Sequence, residues 1–134
     1  MILWKPEYSV GIQELDKQHQ YLIKLYNDLS TAVERGNVSD SYDQFLIRKL
    51  ELFALFYFTS EEHMMEIYGY PDLEDHRKEH EGFISRLNGF KEISLEYEIT
   101  LAEEIRDFLK EWIVKHSLEK DEKYGQFVSD KMSQ

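Results

Sequence analysis

From Leu15 onward apolar positions recur every three or four residues, the spacing of helices that each bury one face. The first stripe is Leu15, His19, Leu22, Tyr26, Leu29 and Val33, which predicts a helix over 14–35 closed by Gly36-Asn37. The second is Leu46, Leu50, Phe53, Tyr57, Glu61, Met64 and Tyr68, on a helix over 40–68 with Ser39 or Asp40 as N-cap and Gly69 as its stop. The third follows Pro71 and runs through Leu73, His76, His80, Phe83, Leu87 and Phe90, predicting 72–91; Lys91 to Glu98 read as a fraying end and a loop. The fourth is Leu101, Ile105, Phe108, Trp112 and His116, with Leu109 and Ile113 beside it, over 100–118. Residues 1–13 carry Trp4, Tyr8, Val10 and Ile12 between the breakers Pro6 and Gly11, so they read as an extended arm packing onto the body. Residues 119–134 read as a short tail segment with Asp121, Tyr124, Phe127 and Val128. Four amphipathic segments on short connections predict an all-α, up-down-up-down four-helix bundle forming one domain, 1–134.

Composition narrows the partners. The chain has 134 residues, 42% of them hydrophobic, enough for one core. Its net charge of −11 repels nucleic acid and anionic lipid, so neither is an expected partner. No run approaches a membrane span or a signal peptide, and the default expectation is a cytoplasmic protein. Without cysteine, thiolate metal sites, iron–sulfur clusters and a cysteine nucleophile drop out.

What changes the picture is the chemistry on the apolar seams. His19, His76, His80 and His116 occupy core places on three of the helices, and Glu61 occupies one on the remaining helix. His76 and His80 are four residues apart and share a helix face, as do Tyr57 and Glu61. A single histidine on an apolar face is usually a hydrogen-bonded core residue. Four imidazoles and a carboxylate converging in one small core need a better compensation, and a metal provides it. Nitrogen and oxygen donors suit iron or manganese; zinc also accepts them, but the number of donors exceeds what one tetrahedral ion uses. His63, ~200° round the helix from Glu61, should face away. A ferritin-like site requires Glu-x-x-His pairs, which this chain lacks.

With these residues in view the sequence resembles the hemerythrin family over nearly its whole length. Trp4, Tyr8, Val10 and Gly11 resemble the family's arm, and Asp16-Lys17-Gln18-His19 its first histidine motif. Phe58-Thr59-Ser60-Glu61-Glu62, Met65, Gly69-Tyr70-Pro71 and the His76/His80 pair match its middle motif; Trp112-Ile113-Val114-Lys115-His116 with Asp121 matches its last. The resemblance implies a non-haem centre of two iron ions, joined by an oxo or hydroxo bridge, that binds dioxygen reversibly for storage, delivery or sensing. It implies His76, His80 and His116 on one iron, Glu61 and Asp121 bridging, and His19 on the second. Phe58, Trp112 and Ile113 would line the oxygen site. Asp121 rests on the family's spacing alone: five residues past His116 is ~140° round an ideal helix, where periodicity favours Glu119.

Tyr57 departs from the pattern, for the family places a histidine four residues before its bridging glutamate. Either Tyr57 packs in the core and leaves the second metal under-coordinated, or it binds as tyrosinate, its pKa near 10 lowered by a ferric ion. The resemblance therefore implies a bacterial-type oxygen-binding protein rather than an enzyme. Tyr57 keeps open a redox enzyme, peroxidase-like or nitric-oxide-directed, or a plain iron-binding module.

Overall fold

The computed structural model describes residues 1–9, 11–92 and 101–133. Helix α1 is Gln13–Glu34 and α3 is Leu73–Glu92. Between them α2 combines Asp40–Phe53, a π-helical turn Ala54–Phe58 and Thr59–Tyr68. Helix α4 combines Leu101–Trp112, a π-helical stretch Ile113–Lys120 and Asp121–Met132. These four make the expected all-α bundle, and the described residues contain no strand. The main pairings are α1 with α4 and α2 with α3.

Local chemistry sets the ends. The Ser39 hydroxyl accepts the Tyr42 amide at 3.2 Å and caps α2. At the other end Gly69 adopts φ +68°, which only glycine reaches without strain, while the Tyr70 and Gly69 amides donate back to the Met65 and Glu66 carbonyls. That corner reverses the chain and lets α3 return beside α2. The arm is tied down at Ile2, whose amide and carbonyl both bond the Asn27 side chain, at 2.8 and 2.7 Å. Trp4 meets Tyr8 edge to face and packs on the core; Val10 lies outside the described residues, as do residues 93–98 of the expected loop.

The core follows the seams of α1 and α3, where Leu22, Leu29, Phe83, Leu87 and Phe90 are buried. Two expectations are corrected. On α2 the buried line passes from Phe53 to Phe58, Glu61 and Met65, leaving Tyr57 and Met64 only half-buried. The reason is the π turn: one extra residue in a turn shifts everything after it on the helix face. The second correction is the tail. Residues 119–134 are no separate segment, because α4 runs on to Met132 and buries Tyr124 and Val128 against Leu15, Met65 and Tyr70. Among the described residues no helix is long and apolar enough to cross a membrane.

Candidate metal centre

Each helix delivers its seam residue to one level of the bundle. His76 and His80 come from α3, His116 from α4, and their ring centroids lie 4.5–5.1 Å apart. Glu61 of α2 stands with an oxygen 3.1 Å from His80 Nε2. Asp121 sits at the centre: its Oδ1 is 2.9 Å from His76 Nε2 and 3.3 Å from His116 Nε2, and its Oδ2 is 2.9 Å from His19 Nε2 on α1. All six residues are buried; Glu61 is 6% and Asp121 2% exposed. The expected decoys point elsewhere, with Glu119 and His63 both exposed.

The π stretch of α4 explains Asp121. Its amide donates to the His116 carbonyl five residues back, so the two side chains share a face despite a spacing that an α-helix would splay.

The donor atoms fit a cation better than they fit one another. Nε2 of His76, His80 and His116, both Glu61 oxygens and Asp121 Oδ1 are buried without a hydrogen bond, although ion-pair partners stand about 3 Å away. They are close but not aligned as donor and acceptor, because they face a common point. Adjacent donors around a six-coordinate ion, at about 2.1 Å from the metal, are about 3 Å apart. One atom from each of Glu61, His76, His80 and His116 falls within 4.8 Å of every other.

Two carboxylates that the sequence reading passed over hold the imidazoles from behind. Glu79 accepts from His116 Nδ1 at 2.5 Å, and Glu62 stands 3.2 Å from His80 Nδ1. Arg77 Nε donates to Glu62 at 2.9 Å and steadies it. With Nδ1 committed outward, the lone pair of Nε2 is directed inward, the usual arrangement behind a metal-binding imidazole. On the apolar side Phe58 stacks on His80, centroids 3.9 Å apart, and Trp112 on His116 at 4.0 Å. Ile113 is buried next to Trp112 along α4.

Electrostatics divide the charge. Burial pushes the Glu61 carboxyl up and Asp121 adds to the effect. Burial opposes ionisation of Asp121 too, but His116, His19 and His76 outweigh it and hold that carboxyl well below its usual range. Burial pulls His116 down, yet Asp121, Glu79 and Glu61 raise it from 6.5 to about 9. A histidine raised on folding stabilises the native state fully below its unfolded pKa and loses that contribution as pH climbs through the folded value. Metal-free protein is thus expected to lose on the order of 3 kcal/mol between pH 6.5 and 9. Urea unfolding of chelator-treated protein across that range measures it, and a flat or rising midpoint contradicts it.

The Hemerythrin HHE cation binding domain model matches residues 10–128. The chain belongs to the hemerythrin family. It is 32% identical over 127 residues to a bacteriohemerythrin of Clostridium acetobutylicum, covering 92% of this chain and 98% of that one. A myohemerythrin of Theromyzon tessulatum is 33% identical over 121 residues, with 90% and 88% covered, and a bacteriohemerythrin of Stenotrophomonas maltophilia is 26% identical over 137, with 100% and 86% covered.

Against the hemerythrin pattern, Tyr57 stays distinctive. Its ring packs 5.0 Å from Phe53 and 5.1 Å from Phe56, at the rim of the core. With Gln18, Ser60, Met64, Tyr124 and Glu61 it lines a cavity of about 370 Å³ between α1 and α2. Tyr57 and Glu61 therefore share one space, whose walls do not include Trp112.

Proposed function

We propose that this hemerythrin-family chain holds a non-haem iron centre, of two ions, and binds dioxygen there. The convergence of unpartnered buried donors on one point carries the reading. His76, His80 and His116 would hold one iron and His19 the second, with the Glu61 and Asp121 carboxylates available to both. Bound there, iron would supply reversible one-electron chemistry and a place for a small ligand. The chain does the rest. Glu62 and Glu79 keep the imidazole tautomers in place, and Phe58, Trp112 and Ile113 keep water off the centre. Metal analysis and optical spectra test this: anaerobically reduced protein should take up dioxygen and release it under vacuum. Protein loaded with iron that forms no reversible adduct sinks oxygen binding.

Tyr57 favours a second reading. A phenolate in place of a neutral imidazole stabilises the ferric state, and the cavity beside it exceeds what a diatomic needs. On that reading the centre turns over peroxide or nitric oxide instead of storing oxygen, and stopped-flow assays with each distinguish it.

The outer carboxylates yield a separate expectation. Glu79→Gln should weaken metal binding by about 10–100-fold while the fold is retained. Chelator competition reads the affinity; an unchanged value would reduce Glu79 to the surface partner of Lys120.

A further inference from the structure

Four large apolar side chains stand outside the bundle on one length of α2. Phe45, Leu52, Leu55 and Phe56 are 58%, 49%, 70% and 67% exposed. Phe45, Leu52 and Phe56 recur seven and four residues apart, so they form one stripe with Leu55 at its edge, about 100° round the helix from the buried line through Leu46, Leu50 and Phe53. At roughly 200 Å² for a large side chain, the stripe exposes on the order of 400 Å² of apolar surface. That already matches the largest apolar patch of an ordinary monomer, which tends to be functional. Among the described residues, the other large apolar side chains exposed on the helices, Ile67, Ile84, Val114 and Met132, are scattered singly.

The charge around the stripe indicates what covers it. Residues 44–60 contain only Arg48, Lys49 and Glu51 as charged groups, a balance of +1 in a chain of −11. Glu51 is itself paired to Arg48 and Lys91. A strongly acidic or basic partner finds no complementary field there, whereas a second copy of this acidic chain can approach by this face with little repulsion.

We infer that a second copy docks on this stripe, α2 against α2 and antiparallel, about a two-fold axis near Leu50. In that arrangement Phe45 meets the second copy's Phe56, with Leu52 between them near the axis. Each contact occurs twice, which is the self-complementarity a two-fold interface requires. The stripe and its neighbours Gln44, Lys49, Thr59 and Ser60 approach the roughly 800 Å² per partner of a standard interface, with about half of it apolar. Phe56 also lines the cavity that reaches Glu61, so the second copy stands at that cavity's mouth.

Sedimentation velocity of the iron-loaded protein between about 1 and 500 μM tests the proposal. The expected result is a shift from monomer to dimer in the micromolar range that Leu55→Glu weakens at least tenfold. Ile67→Glu, which changes an exposed apolar residue of α2 beyond the stripe, should leave the dimer unchanged. A monomer throughout the range, or a dimer that survives Leu55→Glu, overturns it; both readouts are independent of oxygen binding.

Discussion

Replacing Asp121 by alanine is expected to empty the centre of iron and to destabilise the metal-free protein by about 3–5 kcal/mol. Asp121 stands within 3.3 Å of three imidazoles from three helices, and it carries the negative charge that those imidazoles share. Without it, His116 loses the partner that most raises its pKa, and a cationic ring is left buried with only Glu79 behind it. Removing one member of a buried ion pair costs more than the pair contributes, because the survivor is left uncompensated. Against the 5–15 kcal/mol of a typical domain this is a large fraction. Urea denaturation of the metal-free variant and iron analysis of the loaded one measure the two effects. Glu119→Ala is the matched control: an exposed carboxylate two residues earlier, on the π stretch, it should cost no more than about 0.5 kcal/mol. Equal losses from the two substitutions would remove Asp121 from the centre.

Tyr57→His is expected to raise the affinity for a second ferrous ion at least tenfold and to lengthen the life of any oxygen adduct. A phenol must give up its proton, at a cost, before it can act as an anionic donor. A ferric ion offsets that cost more fully than a ferrous one, while imidazole binds ferrous iron as a neutral donor. The half-buried position of Tyr57 beside the cavity gives an imidazole room without opening the core. If Tyr57 binds as tyrosinate, the ferric wild-type protein shows a visible charge-transfer band that Tyr57→His abolishes. If iron stoichiometry and ferrous affinity are the same in both proteins, Tyr57 is a wall of the cavity and no part of the metal set.

Much of the architecture was legible along the chain. The stripes of α1 and α3 are unbroken α-helix, and there each apolar position read from spacing is buried, apart from the terminal Leu73 and Val33, which are half-buried. His76 and His80 were legible for the same reason: they are i and i+4 on a regular helix. Most of the misreadings involve the two π segments; on α4, ahead of the second, Phe108 and Trp112 are only half-buried and Leu109 and Ile113 take the core places. Periodicity carried through Ala54–Phe58 placed Tyr57 and Met64 in the core, where Phe58 and Met65 lie. Carried through Ile113–Lys120, it ended α4 early and pointed Asp121 away.

The sequence by itself determined which residue types converge, on which helices, and that four amphipathic helices must bury them together. Spacing and apolarity are local properties, and a regular helix turns them into a face. Only the tertiary structure decided the register within each π turn, since an extra residue per turn is tolerated where packing and buried donors compensate for it. It alone brought Glu62 to His80 and Glu79 to His116. Spacing along the chain gives neither acid a role, because each finds its imidazole 18 and 37 residues away on a neighbouring helix.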